Sequence, residues 1–289
     1  MSHGINNTFL YSACKILSTF SNGTDSIQCR GTGFFIAKEK TPYLLTNRHV
    51  VDFDYAEGRA TGYRLSKLLV DNRHFDPSTQ IPSDILTFEI RNFNEFIFSQ
   101  NDKNDIACLP RFDATLLPSK DGRTQEHTLA FSIPYDFLAT ENDFLTKLSV
   151  CDFIAFSGYP EPYDVRNDNP IFRMGSIASD PRTNYSCCAE SIGDVVAYDG
   201  FSSGGASGSP VFVLQKGFPV EGAIIADANF YRKLLCVGIN AGHIPERRKA
   251  LEISGKTEEV SGMHSGISYF YKSTEIIKII DSIHSGTTL

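Results

Sequence analysis

The chain has 289 residues, 41% of them hydrophobic, with 22 Phe and no Trp, enough apolar material for one large domain or two small ones. A net charge of −7 and the lack of a dense basic run (Arg247-Arg248-Lys249 is the closest, read as a solvated turn) argue against a phosphate-neutralising surface and so against nucleic acid as a partner. No apolar stretch approaches the ~20 residues that cross a bilayer, so no membrane partner is expected.

The first residues, Met1-Ser2-His3-Gly4-Ile5-Asn6-Asn7, carry neither a basic region nor an apolar core. No secretory signal is read there, and the cytoplasm is the expected compartment. Seven cysteines, at 14, 29, 108, 151, 187, 188 and 236, form an odd set without zinc-type spacing. They read as reduced, mostly buried thiols, with no metal and no cofactor expected.

Short β-rich runs then alternate with turn clusters, at 33–37, 85–90, 152–157, 194–198 and 210–214. The first follows Gly31-Thr32-Gly33, which lacks the third glycine and following helix of a phosphate-binding loop. After Tyr43-Leu44-Leu45 comes Thr46-Asn47-Arg48-His49-Val50-Val51, and Asp105 directly precedes Ile106-Ala107. Near position 200 the chain reads Phe201-Ser202-Ser203-Gly204-Gly205-Ala206-Ser207-Gly208-Ser209-Pro210. Glycine at 205 permits backbone angles barred to other residues, Gly208 is expected to keep bulk from a substrate, and Pro210 fixes the exit into a strand. A helix is predicted over about 273–285, capped by Ser273, ended by Gly286 and burying Ile276, Ile280 and Ile283 with Ile277 beside them.

The order His49, Asp105, Ser207 is that of the chymotrypsin-like peptidases. Together with Gly31-Thr32-Gly33-Phe34, Ser157-Gly158-Tyr159-Pro160, Met174-Gly175-Ser176-Ile177 and Cys236-Val237-Gly238-Ile239-Asn240-Ala241-Gly242, it resembles the trypsin/chymotrypsin-fold serine peptidases. The likeness is closer to bacterial trypsin-like and HtrA-type catalytic domains, without a PDZ-like domain. It implies an all-β fold of two six-stranded antiparallel β-barrels and a C-terminal α-helix. Residues 1–289 would form one peptidase unit, 1–125 a barrel with His49 and Asp105, and 126–289 a barrel with Ser207.

The resemblance implies Ser207 as nucleophile, His49 as general base and then acid, and Asp105 as the group that orients the imidazole. Asp102 competes for the acid role but lies in a polar loop. The N–H groups of Gly205 and Ser207 would hold the oxyanion. Phe201, Ser202, Asn240, Ala241 and Gly242 would line the substrate pocket, with Phe201 as a phenyl floor hostile to Lys or Arg. His74, His127, His243 and His264 are expected bystanders, although His243 sits where the pocket rim would be. Ala206 stands where trypsin has the aspartate that receives its freed amino terminus, so other contacts must order this loop. The implied substrate is a polypeptide, with room for a regulatory protein partner. The competing reading is a catalytically silent binding module of the same fold; an α/β-hydrolase elbow is excluded by Pro210 and the strand after it.

Overall fold

A computed structural model of the chain describes residues 5–76, 81–118, 131–187, 190–217, 231–251 and 257–286. The first half contains β1 (Ala13–Ser21), β2 (Ser26–Lys38), β3 (Thr41–Thr46), the short helical turns α1 (Arg48–Val51) and α2 (Phe53–Glu57), β4 (Arg64–Asp76) and β5 (Ile81–Ile90). Three brief strands follow, β6 (Ile97–Phe98), β7 (Ala107–Leu109) and β8 (Ala114–Leu116). They pair in the order β6-β7-β3-β2-β1-β4-β5-β8. A ninth strand, β9 (Ser132–Pro134), runs parallel to β2 at Phe35–Ala37, beginning where the β1 ladder stops at Phe34.

The second half opens with α3 (Glu141–Thr146) and continues through β10 (Phe153–Gly158), β11 (Ile171–Ile177), β12 (Val195–Asp199), β13 (Pro210–Val213), β14 (Leu235–Leu251) and β15 (Thr257–Lys272). These strands close a barrel in the order β10-β11-β12-β15-β14-β13, and α4 (Ser273–His284) follows. The all-β class, the six-stranded second barrel and the terminal helix agree with the expectation. Among the described residues the first half places nine strands in one sheet where six were expected; four of them, β6, β7, β8 and β9, are two- or three-residue pieces that extend the sheet locally. The 125/126 boundary lies outside the described residues.

Alternation along the central strands distributes side chains between two cores. Phe34 and Ile36 of β2, Leu45 of β3 and Cys108 of β7 join a core shared with Phe212, Cys236 and Ile239 of the barrel and Ile276, Ile279 and Ile280 of α4. Their neighbours Phe35, Leu44, Ala107 and Leu109 turn to the other face and pack with Val50, Leu68 and Phe88. A third core, with Phe156, Tyr198, Val211, Val237 and Phe270, fills the barrel. Strands buried on both faces lack simple polar alternation, so their runs read as continuous apolar stretches.

Some local expectations change. Ser273 does not cap α4; Lys272 occupies that position without a side-chain cap, and the Ser273 hydroxyl donates to the Ala139 carbonyl at 2.6 Å. The helix buries Ile276, Ile279 and Ile280, while Ile283 is half-buried. Arg247-Arg248-Lys249 is strand, in the β14–β15 ladder, because that hairpin continues well beyond the barrel. Cys14, Cys108 and Cys236 are buried, with burial raising each thiol pKa, whereas Cys151 and Cys187 are exposed. Cys188 lies outside the described residues. No helix among the described residues is long and apolar enough to cross a membrane.

Candidate active site

His49 lies in α1, immediately after the inner strand β3. Asp105 lies just before β7, which pairs with β3 from Leu44 to Thr46. Sheet pairing therefore brings together two residues separated by 56 positions. The Asp105 carboxylate accepts the His49 backbone N–H at 2.9 Å through Oδ1 and meets His49 Nδ1 at 2.5 Å through Oδ2. With the carboxylate ionised, this contact assigns the ring proton to Nδ1 and leaves Nε2 as the acceptor. Asn47 donates from Nδ2 to the Asp105 carbonyl at 2.6 Å, fixing the backbone beneath the carboxylate. Asp102, by contrast, has a side chain 93% exposed and lies 3.6 Å from Arg48.

The adjacent Asn104 is held from the barrel side. Its Oδ1 accepts the Asp194 N–H and its Nδ2 donates to Asp194 Oδ2, both at 2.8 Å. The carboxylate-bearing turn is thus tied to the start of β12.

Ser207 belongs to the connection between β12 and β13. Its carbonyl accepts the Thr32 N–H at 2.8 Å, seating the loop on β2. The Thr32 hydroxyl donates to the Gly205 carbonyl at 2.7 Å and accepts the Tyr159 N–H at 3.0 Å. Asn240 braces the other side: its Nδ2 donates to the Ala206 carbonyl and Ser202 Oγ, each at 2.9 Å, and its Oδ1 accepts from Tyr198 Oη at 2.7 Å. Its backbone also exchanges hydrogen bonds with Gly208 and Ser209. These contacts order a loop that lacks the ion pair excluded by Ala206.

Gly205 has φ +84° and an added Cβ there would lie 2.3 Å from the Tyr159 carbonyl oxygen. At Gly208, with φ +87°, it would lie 1.9 Å from the Thr32 carbonyl oxygen. Gly208 therefore permits close packing on β2; the expectation that it merely clears space for substrate is corrected. Among the described residues, no protein acceptor takes the N–H of Gly205 or Ser207. The Ser207 hydroxyl donates to the Ala241 carbonyl at 3.3 Å, and no hydrogen bond joins it to His49 in this arrangement.

The expected pocket residues divide. Ala241 flanks the serine, and Gly242 lies beside it near Tyr269. Asn240 is fully buried as a brace, not a pocket wall. Ser202 is also buried, its N–H reaching Ser268 Oγ at 3.1 Å. Phe201, expected as the floor, is 61% exposed, because Ser202 takes the inward position beside it. Its ring packs on His264, which stacks in turn on His243, with centroids 4.5 Å apart in both pairs. Burial, with His243 adding to it, lowers the His264 pKa. The His264 ring nitrogens engage Gly266 N–H and Ser268 Oγ. His127 and the side chain of His74 lie outside what is described. Thr32, Asn47 and Asn104 were not singled out from sequence, though Thr32 and Asn47 stand within motifs that were.

Among the described residues no cluster of three or more His, Cys, Asp or Glu is arranged to hold a metal ion. The family model for the trypsin-like peptidase domain matches residues 31–220. A solved structure titled as that of Deg5 is similar over 98% of this chain and 95% of that chain, at 15% identity and a TM-score of 0.48. No curated protein is matched.

Proposed function

Since the chain belongs to the trypsin-like peptidase domain family, we propose that it is a serine endopeptidase acting through Ser207, His49 and Asp105. The observation that carries this reading is the two-point grip of Asp105 on His49, through the backbone N–H and Nδ1. A carboxylate placed this way holds the imidazole in the tautomer whose Nε2 can take a proton, and stabilises the imidazolium that results.

In the proposed reaction, Ser207 Oγ attacks the scissile carbonyl while His49 removes its proton, forming a tetrahedral adduct. The N–H groups of Gly205 and Ser207 receive the oxyanion. His49 then protonates the departing amine, leaving an acyl-enzyme that water hydrolyses by the same steps. The hydroxyl must first leave the Ala241 carbonyl by rotating about χ1, a motion among staggered rotamers. Occupation of that carbonyl by a substrate N–H would release it. The preference against Lys and Arg argued from a phenyl floor loses that support, because Phe201 stands outside.

The hydroxyl's bond to Ala241 also favours a second reading, a silent binding module of the same fold. A fluorophosphonate probe separates the two. Expected is labelling of the wild type, abolished in Ser207→Ala and strongly reduced in His49→Ala, with unchanged circular dichroism. An unlabelled, correctly folded wild type that hydrolyses no peptide or protein would support the silent module.

A further inference from the structure

Away from the triad, a cleft of about 750 Å³ opens between the start of α4, the start of α3 and the segment 182–184. Such a volume lies within the ~300–1,000 Å³ typical of small-molecule sites. Two features of its wall lack a hydrogen-bonding partner.

The first is Lys272, which lines the cleft and is only 5% exposed. Among the described residues its ammonium makes no hydrogen bond or ion pair; the Phe144 ring lies 5.4 Å away. The other cations of the wall are already held, Arg182 by Asp180 at 2.7 Å and Lys278 by Glu275 at 2.5 Å. Asp194 is likewise satisfied, by the side-chain amides of Asn101, Asn104 and Asn184. Burial lowers the Lys272 pKa, with Glu141, Asp194 and Asp180 acting in the opposite direction. An ammonium at the end of so buried a side chain, facing the cleft, gains from a nearby anion.

The second feature is the N-terminus of α4 itself. The helix is 12 residues long, its N-cap position carries no side-chain cap, and Ser273, Thr274 and Glu275 are buried. The first N–H groups of a helix have no acceptor within it, and a buried, uncapped end leaves them unsatisfied. They also bear the positive end of the helix dipole.

We infer that this cleft binds a small-molecule oxyanion, a carboxylate or a phosphate, between the Lys272 ammonium and the N–H groups of the first turn of α4. Its wall includes Asp194, whose carboxylate and N–H hold Asn104 beside Asp105, so an occupant bears directly on the turn that presents that carboxylate. The site stands on its own geometry and does not require peptidase activity.

Thermal unfolding and ligand-observed NMR with inorganic phosphate, citrate and acetate, each against chloride at equal ionic strength, test this. Expected is a saturable rise in Tm and saturable line broadening for at least one of these anions in the wild type. A phosphate response points to a phosphorylated ligand, and a citrate or acetate response to a carboxylate. Lys272→Met should weaken binding by about tenfold or more, as loss of a charge-assisted contact implies. Thr274→Glu, which places a fixed carboxylate in the first turn where acidic residues favour the helix, should abolish it while preserving the fold. Saturable binding that survives unchanged in either folded variant, or no saturable binding of any of the three anions, overturns the assignment.

Discussion

Thr32→Val removes one hydroxyl from the junction of the two halves while keeping the branched shape. That hydroxyl donates to the Gly205 carbonyl at 2.7 Å and accepts the Tyr159 N–H at 3.0 Å, at a residue with no exposed surface. Valine leaves both backbone groups without their partner. Each buried group so orphaned costs about 1–3 kcal/mol, giving a total of about 2–6 kcal/mol. For a chain of this size that lowers Tm by roughly 3–10 °C. The second effect falls on Gly205 itself, the residue whose carbonyl Thr32 holds and whose N–H is proposed to receive the oxyanion. If release of the carbonyl lets the Gly205 backbone angles change and re-aims its N–H, the loss approaches that of one oxyanion donor, about 10²-fold in acylation rate. Urea unfolding measures the first effect and the rate of fluorophosphonate labelling the second. Thr32→Ser, which keeps the hydroxyl, should retain most of the labelling rate. A valine variant within ~0.5 kcal/mol of wild type, labelling at the wild-type rate, would refute the brace.

Asn240→Leu strands the Tyr198 hydroxyl and the Ala206 carbonyl in a fully buried site and should destabilise by about 3 kcal/mol or more; denaturant midpoints report it, and a loss below ~1 kcal/mol would contradict the bracing role. Gly208→Ala combines a left-handed φ with a Cβ 1.9 Å from the Thr32 carbonyl oxygen, so it should displace the serine loop and abolish labelling; a labelled, stable alanine variant would count against this packing. Asp194 is subject to burial, which alone raises a carboxyl pKa, but hydrogen bonds from Asn104, Asn101 and Asn184 outweigh it and hold the pKa below its ordinary value. Its stabilisation is therefore present above the unfolded pKa of ~3.9 and is lost as pH falls through the lower folded value. The stability gap between wild type and Asp194→Asn should narrow in that acid range, and a gap constant with pH would refute the assignment. His264, lowered by burial and then by His243, contributes above its unfolded pKa of ~6.5 and loses that contribution as pH falls through its lower folded pKa. In His264→Gln the slope of stability against pH should flatten over that interval, as read by thermal melts across pH.

Which features were legible in the sequence follows from how each is made. The β10, β12 and β13 runs could be read because apolar residues and bounding turns are local signals. The brief strands β6 to β9 could not, since two or three residues become strand only when a longer neighbour offers hydrogen-bonding edges. The geometry of His49 and Asp105 was accessible through motif order, which stands in for the β3–β7 pairing that brings them together. Phe201 was misplaced because sequence alignment supplies a position along the loop but not the direction of a side chain. Asn240 looked like a pocket residue for the same reason; only the inward placement of Tyr198, Ser202 and Ala206 shows that its amide is consumed by the scaffold.

The division of labour between the halves makes the candidate site sensitive to their relative placement. The first sheet carries His49 and Asp105, and the second barrel carries Ser207. Among the polar contacts that connect them, two involve the residues of the candidate site: Thr32 reaches the carbonyls of Gly205 and Ser207, and Asn104 exchanges two bonds with Asp194. Between these lies the shared apolar core of Phe34, Leu45, Cys108, Phe212 and Ile239. That core resists separation but tolerates sliding, because apolar contacts have little directionality. The hydrogen bonds have the directionality the core lacks, so they set the register of one half against the other. Relative to its effect on global stability, loss of one junction should therefore affect nucleophile alignment more than truncating Phe34 or Phe212 does. Comparing the two classes of variant by unfolding and by labelling rate separates these contributions, and equal ratios of the two effects in both classes would contradict this division.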